Sequence, residues 1–188
     1  MILAGHETTA TALFWSLYLL ALDPAAQEQV AAEAREARVD GGLDIDRLKF
    51  TRAVLDETMR LYPSVFLIAR AASGPDVIGG RAVRKNDVVL VSPWLLHRHE
   101  KLWPDPDVFL PSRFMAPSPP PDRFAYLPFG VGPRICIGAH FALVEATLAL
   151  SKLIGAFRVG LVDKAPVMPV GVVTTQPDHS PMFSITSR

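Results

Sequence analysis

The stretch Phe129-Gly130-Val131-Gly132-Pro133-Arg134-Ile135-Cys136-Ile137-Gly138 contains the only cysteine of the chain. A lone cysteine is usually a small buried hydrophobe. Here three glycines flank it, together with a proline and an arginine, and a strongly apolar segment follows from Ala139. Because glycine lets a backbone approach a flat object closely, this composition is typical of a loop that holds a ligand. We therefore interpret the stretch as a binding loop rather than as part of the core.

The chemistry of Cys136 follows from its neighbours. Arg134 supplies a fixed positive charge, and the N–H groups at the start of the next helix favour a thiolate over a thiol. A thiolate in an apolar loop suits an axial bond to haem iron. The alternative of a nucleotide loop fails, because the stretch lacks both the Lys-Ser/Thr pair of a phosphate loop and the acidic partner of a dinucleotide site. The five histidines show no metal-ligand spacing, so we interpret most of them as surface or supporting residues.

Composition limits the class of protein. The chain has 188 residues, 49% of them hydrophobic and 20% charged, which is enough for one domain with a core. Its formal net charge of +0 gives no indication of nucleic-acid binding. A single cysteine cannot form an internal disulfide, which fits a reducing compartment. The apolar run Ala10–Leu22 is shorter than the ~20 residues that cross a bilayer, so we predict a core helix and no membrane segment.

The first residues show no basic start and no signal peptide, because Glu7 already interrupts the apolar run. The chain opens directly into a helical pattern, without a leader, a cap or a preceding strand. We therefore expect that the N-terminal part of a larger fold is missing.

Periodicity and stop signals predict a mainly α, α+β chain. Helices are expected at residues 1–22, 24–39, 51–61 and 139–154, the second with Asp23 as N-cap and Pro24 as its first residue. The second helix is Ala-rich and carries five charged residues, so we expect it to be exposed. Eight of the 17 prolines lie in residues 102–128, which predicts little regular structure there. Short strands are predicted at residues 65–69, 77–78, 82–83 and 88–91, with a short helix after Pro93 and two or three strands in the tail.

An acid and an alcohol stand at the start of the first helix, in Ala4-Gly5-His6-Glu7-Thr8-Thr9. A buried carboxylate costs several kcal/mol unless it has partners or a task. The Ala-Gly pair lets a ligand lie against the backbone, and a hydroxyl can relay protons. The alternative is a frayed helix start at which Glu7 and Thr8 face water, and the residues alone leave both interpretations open.

Glu57 and Arg60 are three residues apart and therefore share one face of the third helix. As an isolated pair this spacing is common on solvated helices, and that interpretation is the default. The apolar stripe of the same helix favours a buried pair, since arginine makes planar, bidentate bonds to a carboxylate. Arg113, in the proline-rich stretch, carries no signal by itself.

Together and in this order, the motifs resemble those of the haem-thiolate monooxygenases, the cytochrome P450 family. The cysteine loop fits F-G-x-G-x-R-x-C-x-G at every position, and Ala4–Thr9 is similar to the oxygen-activating motif A/G-G-x-D/E-T-T/S. Glu57-Thr58-Met59-Arg60 matches E-x-x-R, and Arg113 stands at the third position of that triad, although Ser112 replaces the acid often found before it. The resemblance covers essentially all of the chain but only the C-terminal half of the family's fold. Residues 1–188 are thus expected to be the C-terminal portion of one P450 domain, beginning within the distal oxygen-binding helix.

The resemblance implies haem b as cofactor and a role for each matched residue. Cys136 would be the proximal thiolate, with Phe129 packed near it and Gly138 closing the loop. Arg134 and Arg70 would pair with the haem propionates, and Ala4 and Gly5 would leave space above the iron. Glu7 and Thr8 would be the acid–alcohol pair that delivers protons. Glu57, Arg60 and Arg113 would be structural and lock the loop in place. Val65 and Phe66 would line the substrate pocket from one side.

The implied activity is insertion of one oxygen atom from O2 into a small hydrophobic substrate, with electrons from a ferredoxin or a flavin reductase. The wording around the motifs is most similar to that of bacterial relatives, which favours a cytoplasmic protein, with a membrane anchor on the missing N-terminal part as the alternative. A haem-thiolate peroxygenase or isomerase is one alternative, which the intact Glu7-Thr8 pair disfavours because such enzymes can dispense with protonation of O2. A truncated remnant that binds haem weakly or not at all, without turnover, is another. A plain α+β structural domain would require four spaced motifs to coincide.

Overall fold

The computed structural model describes residues 2–163 and 165–188, and side chains from residue 5 onward. Within these residues 42% are helical and 19% are in strands, so the predicted α+β, mainly α class is confirmed. The helices are α1 (Ile2–Leu22), α2 (Pro24–Glu36), α3 (Lys49–Leu61), α4 (Pro93–Leu96) and α5 (Ala139–Ala156). Short 3-10 turns occur at Ile45–Arg47, Pro111–Phe114 and Gly132–Arg134.

The strands are short and pair only as antiparallel two-stranded ribbons. They are β1 (Arg38–Val39), β2 (Gly42–Leu43), β3 (Ile68–Ala71), β4 (Asp76–Ile78), β5 (Arg81–Val83), β6 (Val88–Val91), β7 (Phe157–Leu161), β8 (Pro169–Gly171), β9 (Thr175–Pro177) and β10 (Phe183–Ser187). Neighbouring strands along the chain form β1–β2, β4–β5 and β8–β9, whereas β3 pairs with β6 and β7 pairs with β10. The described residues of the tail therefore form four strands rather than the two or three expected.

The predicted cap of α2 is confirmed, but two other predictions for this helix are wrong. The Asp23 side chain accepts a hydrogen bond from the Ala26 amide at 3.0 Å, and Pro24 is the first helical residue. The helix ends at Glu36 rather than Val39, because residues 38–39 turn through Gly41, at φ +87°, and pair with Gly42–Leu43.

The second helix is also not simply exposed. One face of α2 is buried through Ala26, Gln27, Val30, Ala31 and Ala34. Its alanines allow α2 to pack closely against α5. Ala34 lies so near Gly155 of α5 that a Cβ added to the glycine would be 3.0 Å from the Ala34 Cβ. Glu28, Arg35 and Glu36 are exposed, and the sequence pattern was misinterpreted because alanine serves both surface and close-packed helices.

The core lies where α1, α2, α3 and α5 meet. Its fully buried members include Leu20, Val30, Val54, Leu55, Leu150 and Ile154. A second cluster forms on α1, where the ring of Trp15 stacks on that of Tyr62 with a centroid distance of 3.9 Å. Among the described residues, α5 is the helix with the length and composition to cross a membrane. Core helices share these properties, and α5 packs against α1, α2 and α3.

Helix α3 begins two residues earlier than expected and is capped from another helix. The carboxylate of Glu33, on α2, accepts hydrogen bonds from the Phe50 and Thr51 amides at 2.6 and 2.7 Å. A negative charge at a helix N-terminus stabilises the helix, so this contact joins α2 to α3. The first predicted strand starts at Ile68 rather than Val65, because the carbonyl of Phe66 instead accepts a bond from the Ser92 hydroxyl.

Candidate functional site

The cysteine loop is closed by backbone hydrogen bonds. The Cys136 amide donates to the Phe129 carbonyl at 2.9 Å, and the Ile135 amide donates to Gly132 at 3.0 Å. Gly130 and Gly132 have φ angles of +72° and +74°, in a region that other residues rarely adopt. The two glycines therefore allow the chain to reverse direction and return Cys136 to the level of Phe129.

The thiol of Cys136 is exposed and lies at the entrance to α5. Gly138 is the N-cap residue of that helix, and a Cβ added to it would lie 3.9 Å from the Cys136 Sγ. The glycine thus leaves the space beside the sulfur open on its side.

Apolar side chains surround the thiol and face outward. Ile135, Ile137 and Phe141 are 56%, 89% and 70% exposed, and Phe129 is half-buried. Strand β3 lies beside the loop, since the Ile68 Cδ1 atom is 3.9 Å from the position of a Cβ on Gly130.

Two arginines accompany this apolar surface. Arg134 lies in the loop and Arg70 lies on β3, and both are exposed. Within the described part of the chain neither arginine forms an ion pair with a carboxylate. The donor set is thus one thiol, an outward apolar surface and two cationic side chains. Haem has a flat apolar ring, an iron that accepts thiolate and two anionic propionates, so these residues fit it.

The structure brings Glu57, Arg60 and Arg113 together. Arg60 Nε donates to Glu57 Oε2 at 2.7 Å, and Arg60 Nη2 donates to Glu57 Oε1 at 2.8 Å, in a bidentate pair. Arg113 Nε donates to the same Oε1 at 3.3 Å. Glu57 and Arg60 are both fully buried, so the interpretation of a solvated surface pair is wrong.

Every donor of Arg60 has a partner. Besides the two bonds to Glu57, Nη1 donates to the carbonyls of His97 and Pro106 at 2.9 and 2.6 Å, and Nη2 donates to Val108 at 3.1 Å. These five bonds match the five N–H groups of a guanidinium. The proline-rich segment, which has little regular structure as expected, is therefore held to α3 by Arg60 together with Glu57, whose Oε1 accepts from the Leu110 amide at 2.9 Å.

His97 connects this segment to the cysteine loop, and the sequence did not single it out for this. The side chain is fully buried, and its Nε2 accepts a hydrogen bond from the Leu127 amide at 2.8 Å, two residues before Phe129. Burial lowers the pKa of His97 from 6.5 to about 4, and the charges of Arg60 and Arg98 act in the same direction. The imidazole is therefore neutral near pH 7, with Nε2 as an acceptor.

Tyr126 lies next to Leu127 and packs between rings. Its hydroxyl donates to the backbone carbonyl of Asp56 at 2.8 Å, and its ring is 4.9 Å from that of Phe114. Burial raises the pKa of Tyr126 well above 10, so the phenol stays neutral. Burial also raises the pKa of Asp56, against the opposing charge of Arg52.

At the other predicted site, Glu7 and Thr8 lie half-buried on the first turns of α1. The Glu7 carboxylate accepts hydrogen bonds from Thr174 Oγ1 at 3.0 Å and from Gln176 Nε2 at 3.1 Å. The Thr8 hydroxyl donates to the Gly5 carbonyl at 3.1 Å. Gly5 is exposed, and a Cβ added there would meet nothing within 4 Å. The interpretation of a frayed start is wrong for Glu7, because its carboxylate is bound from a distant part of the chain.

Several of these neighbours were not predicted from the sequence. Ser64 donates from Oγ to the Thr8 carbonyl at 2.9 Å, and Thr174 and Gln176 bind Glu7. Thr174 and Thr175 are buried hydroxyls after the apolar run Gly171-Val172-Val173. This pair of hydroxyls after an apolar run was the feature of the sequence that could have indicated a buried polar contact. No feature of the neighbouring sequence indicates the contacts of Ser64 or His97.

The other predicted residues can be placed individually. Val65 is 39% exposed, and the Phe66 ring lies against Gly171, where an added Cβ would be 2.8 Å from its Cζ atom. Ala4 belongs to α1, but its side chain lies outside the described residues. The structure therefore joins the triad to the cysteine loop through His97 and Leu127, whereas the Glu7 carboxylate is bound by the tail.

Comparisons with known proteins point to one family. The family model for Cytochrome P450 matches residues 1–181. Putative cytochrome P450 132 of Mycobacterium tuberculosis is 39% identical over 180 residues, which make up 94% of this chain and 39% of that protein. Cyclooctatin synthase of Streptomyces melanosporofaciens is 39% identical over 173 residues, covering 90% of this chain and 38% of that protein.

A eukaryotic relative agrees with these matches. Cytochrome P450 4V2 of Homo sapiens is 39% identical over 163 residues, which cover 81% of this chain and 30% of that protein. The chain thus spans about two fifths of the length of the first curated relatives it matches. The match extends over nearly the whole of this sequence, including the cysteine loop, the E-x-x-R pair and the start of α1. The chain therefore belongs to the cytochrome P450 family, the haem-thiolate monooxygenases.

Proposed function

We propose that this chain forms the haem-binding part of an enzyme that inserts one oxygen atom from O2 into a small hydrophobic substrate. The observation that carries the proposal is the exposed Cys136 thiol, presented by a closed glycine loop and surrounded by outward apolar side chains. When bound, haem supplies the redox-active iron at which O2 is reduced with electrons from a partner protein.

The residues of the loop would hold this group. Cys136 would supply the sulfur ligand to the iron. Ile135 and Ile137 supply apolar contact, while Arg134 and Arg70 pair with the propionates. Gly138 leaves space beside the sulfur, which supports this assignment.

The buried Glu57, Arg60 and Arg113 set has a structural role in the proposal. Its bonds reach the backbone of residues 97–110, and His97 extends them to Leu127. A ligand held within a fraction of an ångström needs such support from rigid neighbours. The triad therefore positions Cys136 without touching it.

Glu7 and Thr8 would move protons to the bound oxygen. A carboxylate can exchange a proton with water, and a neighbouring hydroxyl can pass it on. Ala4 and Gly5 would leave space for a ligand, and the open space at Gly5 supports this role for the glycine. This pair favours O2-dependent chemistry over the peroxygenase or isomerase alternative.

The proposal includes an electron donor, either a ferredoxin or a flavin reductase, and a cytoplasmic location. The family uses redox partners and hydrophobic substrates. The neutral net charge gives no sign of a nucleic-acid partner. The absence of a membrane segment stays a prediction.

The carbon monoxide spectrum of the reduced, haem-loaded chain tests the proposal. We expect the red-shifted Soret band of thiolate ligation in the wild type and in Ile137→Val, which preserves the loop's apolar character. Cys136→Ala should lose the band while retaining the far-UV circular dichroism of the wild type. A wild type without the band, or a Cys136→Ala protein that keeps it, would show that the ligand assignment is wrong. A band without oxidation of any offered substrate would favour haem binding without turnover.

A further inference from the structure

We propose that Thr174 and Gln176 are positioning residues that hold the Glu7 carboxylate for proton delivery. The inference rests on the proposed function, because it assigns Glu7 the proton-delivering role given above. It concerns two residues about 170 positions away in sequence, in a segment that none of the sequence motifs includes.

Both residues act on the same carboxylate oxygen. Thr174 Oγ1 donates to Glu7 Oε1 at 3.0 Å, and Gln176 Nε2 donates to that same oxygen at 3.1 Å. Gln176 Nε2 also donates to Thr174 Oγ1 at 2.6 Å, which uses its second amide hydrogen. The three side chains therefore form a closed triangle.

The triangle fixes one end of the carboxylate and leaves the other for chemistry. Hydrogen bonds to an ionised acceptor are roughly twice as strong as neutral ones, so two of them restrict rotation of the group. Neither bond is to Oε2. Oε2 is thus the oxygen that can exchange a proton with water or with a neighbouring hydroxyl.

Water has access to this place. A cavity of about 480 Å³ is lined by His6, Glu7, Thr11, Gln176 and Ser180, among others. Its polar groups come from α1 and from the tail, which are the two segments that the triangle joins. Glu7 therefore lines a cavity that water can enter, and Thr8 is the next residue along the helix.

The segment that carries Thr174 and Gln176 is held in place by buried contacts. Thr174 and Thr175 are only 3% and 2% exposed. The Trp15 indole donates to the Thr175 carbonyl at 2.8 Å, and the Thr175 hydroxyl donates to the Pro63 carbonyl at 2.6 Å. The tail is thus fastened to α1 on one side and to the segment after α3 on the other.

A double-mutant cycle in the full chain tests the contact independently of catalysis. Glu7→Ala, Thr174→Val and their combination are compared by urea unfolding, and the same is done with Gln176→Leu. We expect an interaction of about tenfold in the ratio of folded to unfolded protein, which corresponds to about 1.4 kcal/mol. Thr147→Val is the matched control, because it removes an equally buried hydroxyl on α5 that donates to the Leu143 carbonyl at 2.6 Å and has no part in the triangle. Its cycle with Glu7→Ala should be additive within about twofold.

The second readout is the fate of electrons in the haem-loaded protein with a reduced ferredoxin or a flavin reductase. Insertion consumes RH, O2, two electrons and two protons, and yields ROH and water. Failed delivery uses the same O2, electrons and protons to release hydrogen peroxide. Thr174→Val and Gln176→Leu should raise the peroxide share severalfold and change the solvent isotope effect on O2 consumption, as we also expect for Glu7→Gln. Thr147→Val should change neither.

The outcomes are distinguishable. Additive cycles for both donors overturn the contact. The positioning role is overturned by a different result. In that case the double-mutant cycles show coupling and Glu7→Gln alters both the peroxide share and the isotope effect, but Thr174→Val keeps the wild-type values of both. A wild type that lacks the thiolate band contradicts the proposed function, and with it the role of Glu7, but leaves the cycles to decide the contact.

Discussion

Arg60 shows how one buried cation organises a segment that has almost no secondary structure of its own. The five donors of its guanidinium reach Glu57 and three backbone carbonyls, and its Cζ lies 5.2 Å from the centroid of the Trp103 ring. Isolated buried charges are costly, and this one is offset by a bidentate carboxylate and fully used donors. The planar fork is essential, because an ammonium group offers three donors that cannot reach five acceptors in these directions.

We predict that Arg60→Lys lowers the free energy of unfolding by about 3 kcal/mol or more, since buried carbonyls and one Glu57 oxygen lose their partners. Urea unfolding followed by circular dichroism measures the loss. Arg52→Lys is the control on the same helix, where a partly exposed side chain pairs with Asp56 at 2.8 Å. It should change stability by no more than about 0.5 kcal/mol. Equal losses in the two variants would contradict the role assigned to Arg60.

At the residue scale, the sequence identified side chains whose spacing is fixed by one helix or one loop. Glu57 and Arg60 share a helix face, and the glycines around Cys136 mark a loop that reverses the chain. The partners of Glu7 were not identified, because their proximity depends on tertiary packing across the chain. Spacing encodes local geometry, but it holds no information on which distant hydroxyl meets a carboxylate.

At the scale of elements, the cysteine loop depends on the segment that leads into it. His97, at the end of α4, accepts the Leu127 amide through Nε2 and offers its own carbonyl to Arg60. His97 thus links α3, through Arg60, to the residues that lead into the cysteine loop. This requires the neutral ring, because protonation would place a hydrogen on Nε2 and remove the acceptor.

The pKa of His97 gives a prediction for the pH dependence of stability. Its pKa is about 4 in the folded protein against 6.5 ordinarily, so between these values the unfolded chain binds a proton that the folded chain does not. Stability is therefore complete above pH 6.5 and falls as the pH is lowered toward 4, by about 3 kcal/mol from this group. Urea unfolding at pH 7.0, 6.0 and 5.0 measures the slope.

His97→Gln is the matched control, because its amide oxygen can accept the Leu127 N–H without titrating. The difference between wild type and variant should shrink as the pH falls from 7 to 5. A constant difference over that range would show that His97 does not carry the pH dependence.

Elements were predicted well where a periodic pattern was long and poorly where a few residues pair. The ends of α1, α3 and α5 agree with the expected helices within two residues in the described part of the chain. Each strand of the β1–β2 ribbon has only two residues, which is too short to show a periodic pattern. The predicted α2 is therefore three residues too long. The start of β3 depends on Ser92, which lies 26 residues after Phe66.

At the scale of the whole molecule, the helical core and the tail are joined by buried polar contacts as well as by apolar packing. Gln27 of α2 is 4% exposed. Its Nε2 donates to the carbonyls of Leu20 and Val159 at 2.9 and 2.8 Å, and its Oε1 accepts from the Val159 amide at 2.9 Å. One side chain thus completes the end of α1 and the middle of β7. A glutamine in an Ala-rich helix with charged neighbours resembles a surface residue, which is why the buried face of α2 was not predicted.

We predict that Gln27→Leu lowers the free energy of unfolding by about 3 kcal/mol, although leucine is more apolar and of similar size. The reason is that the carbonyls of Leu20 and Val159 and the Val159 amide would remain buried without partners, at about 1–3 kcal/mol for each group before relaxation. Gln29→Leu, two residues along the same helix and exposed, should stay within about 0.5 kcal/mol of the wild type. Urea unfolding followed by both tryptophan fluorescence and circular dichroism makes the comparison. Because Gln27 joins α1, α2 and β7, the two probes should shift together in Gln27→Leu; a shift in one probe alone would mean that the core and the tail unfold separately.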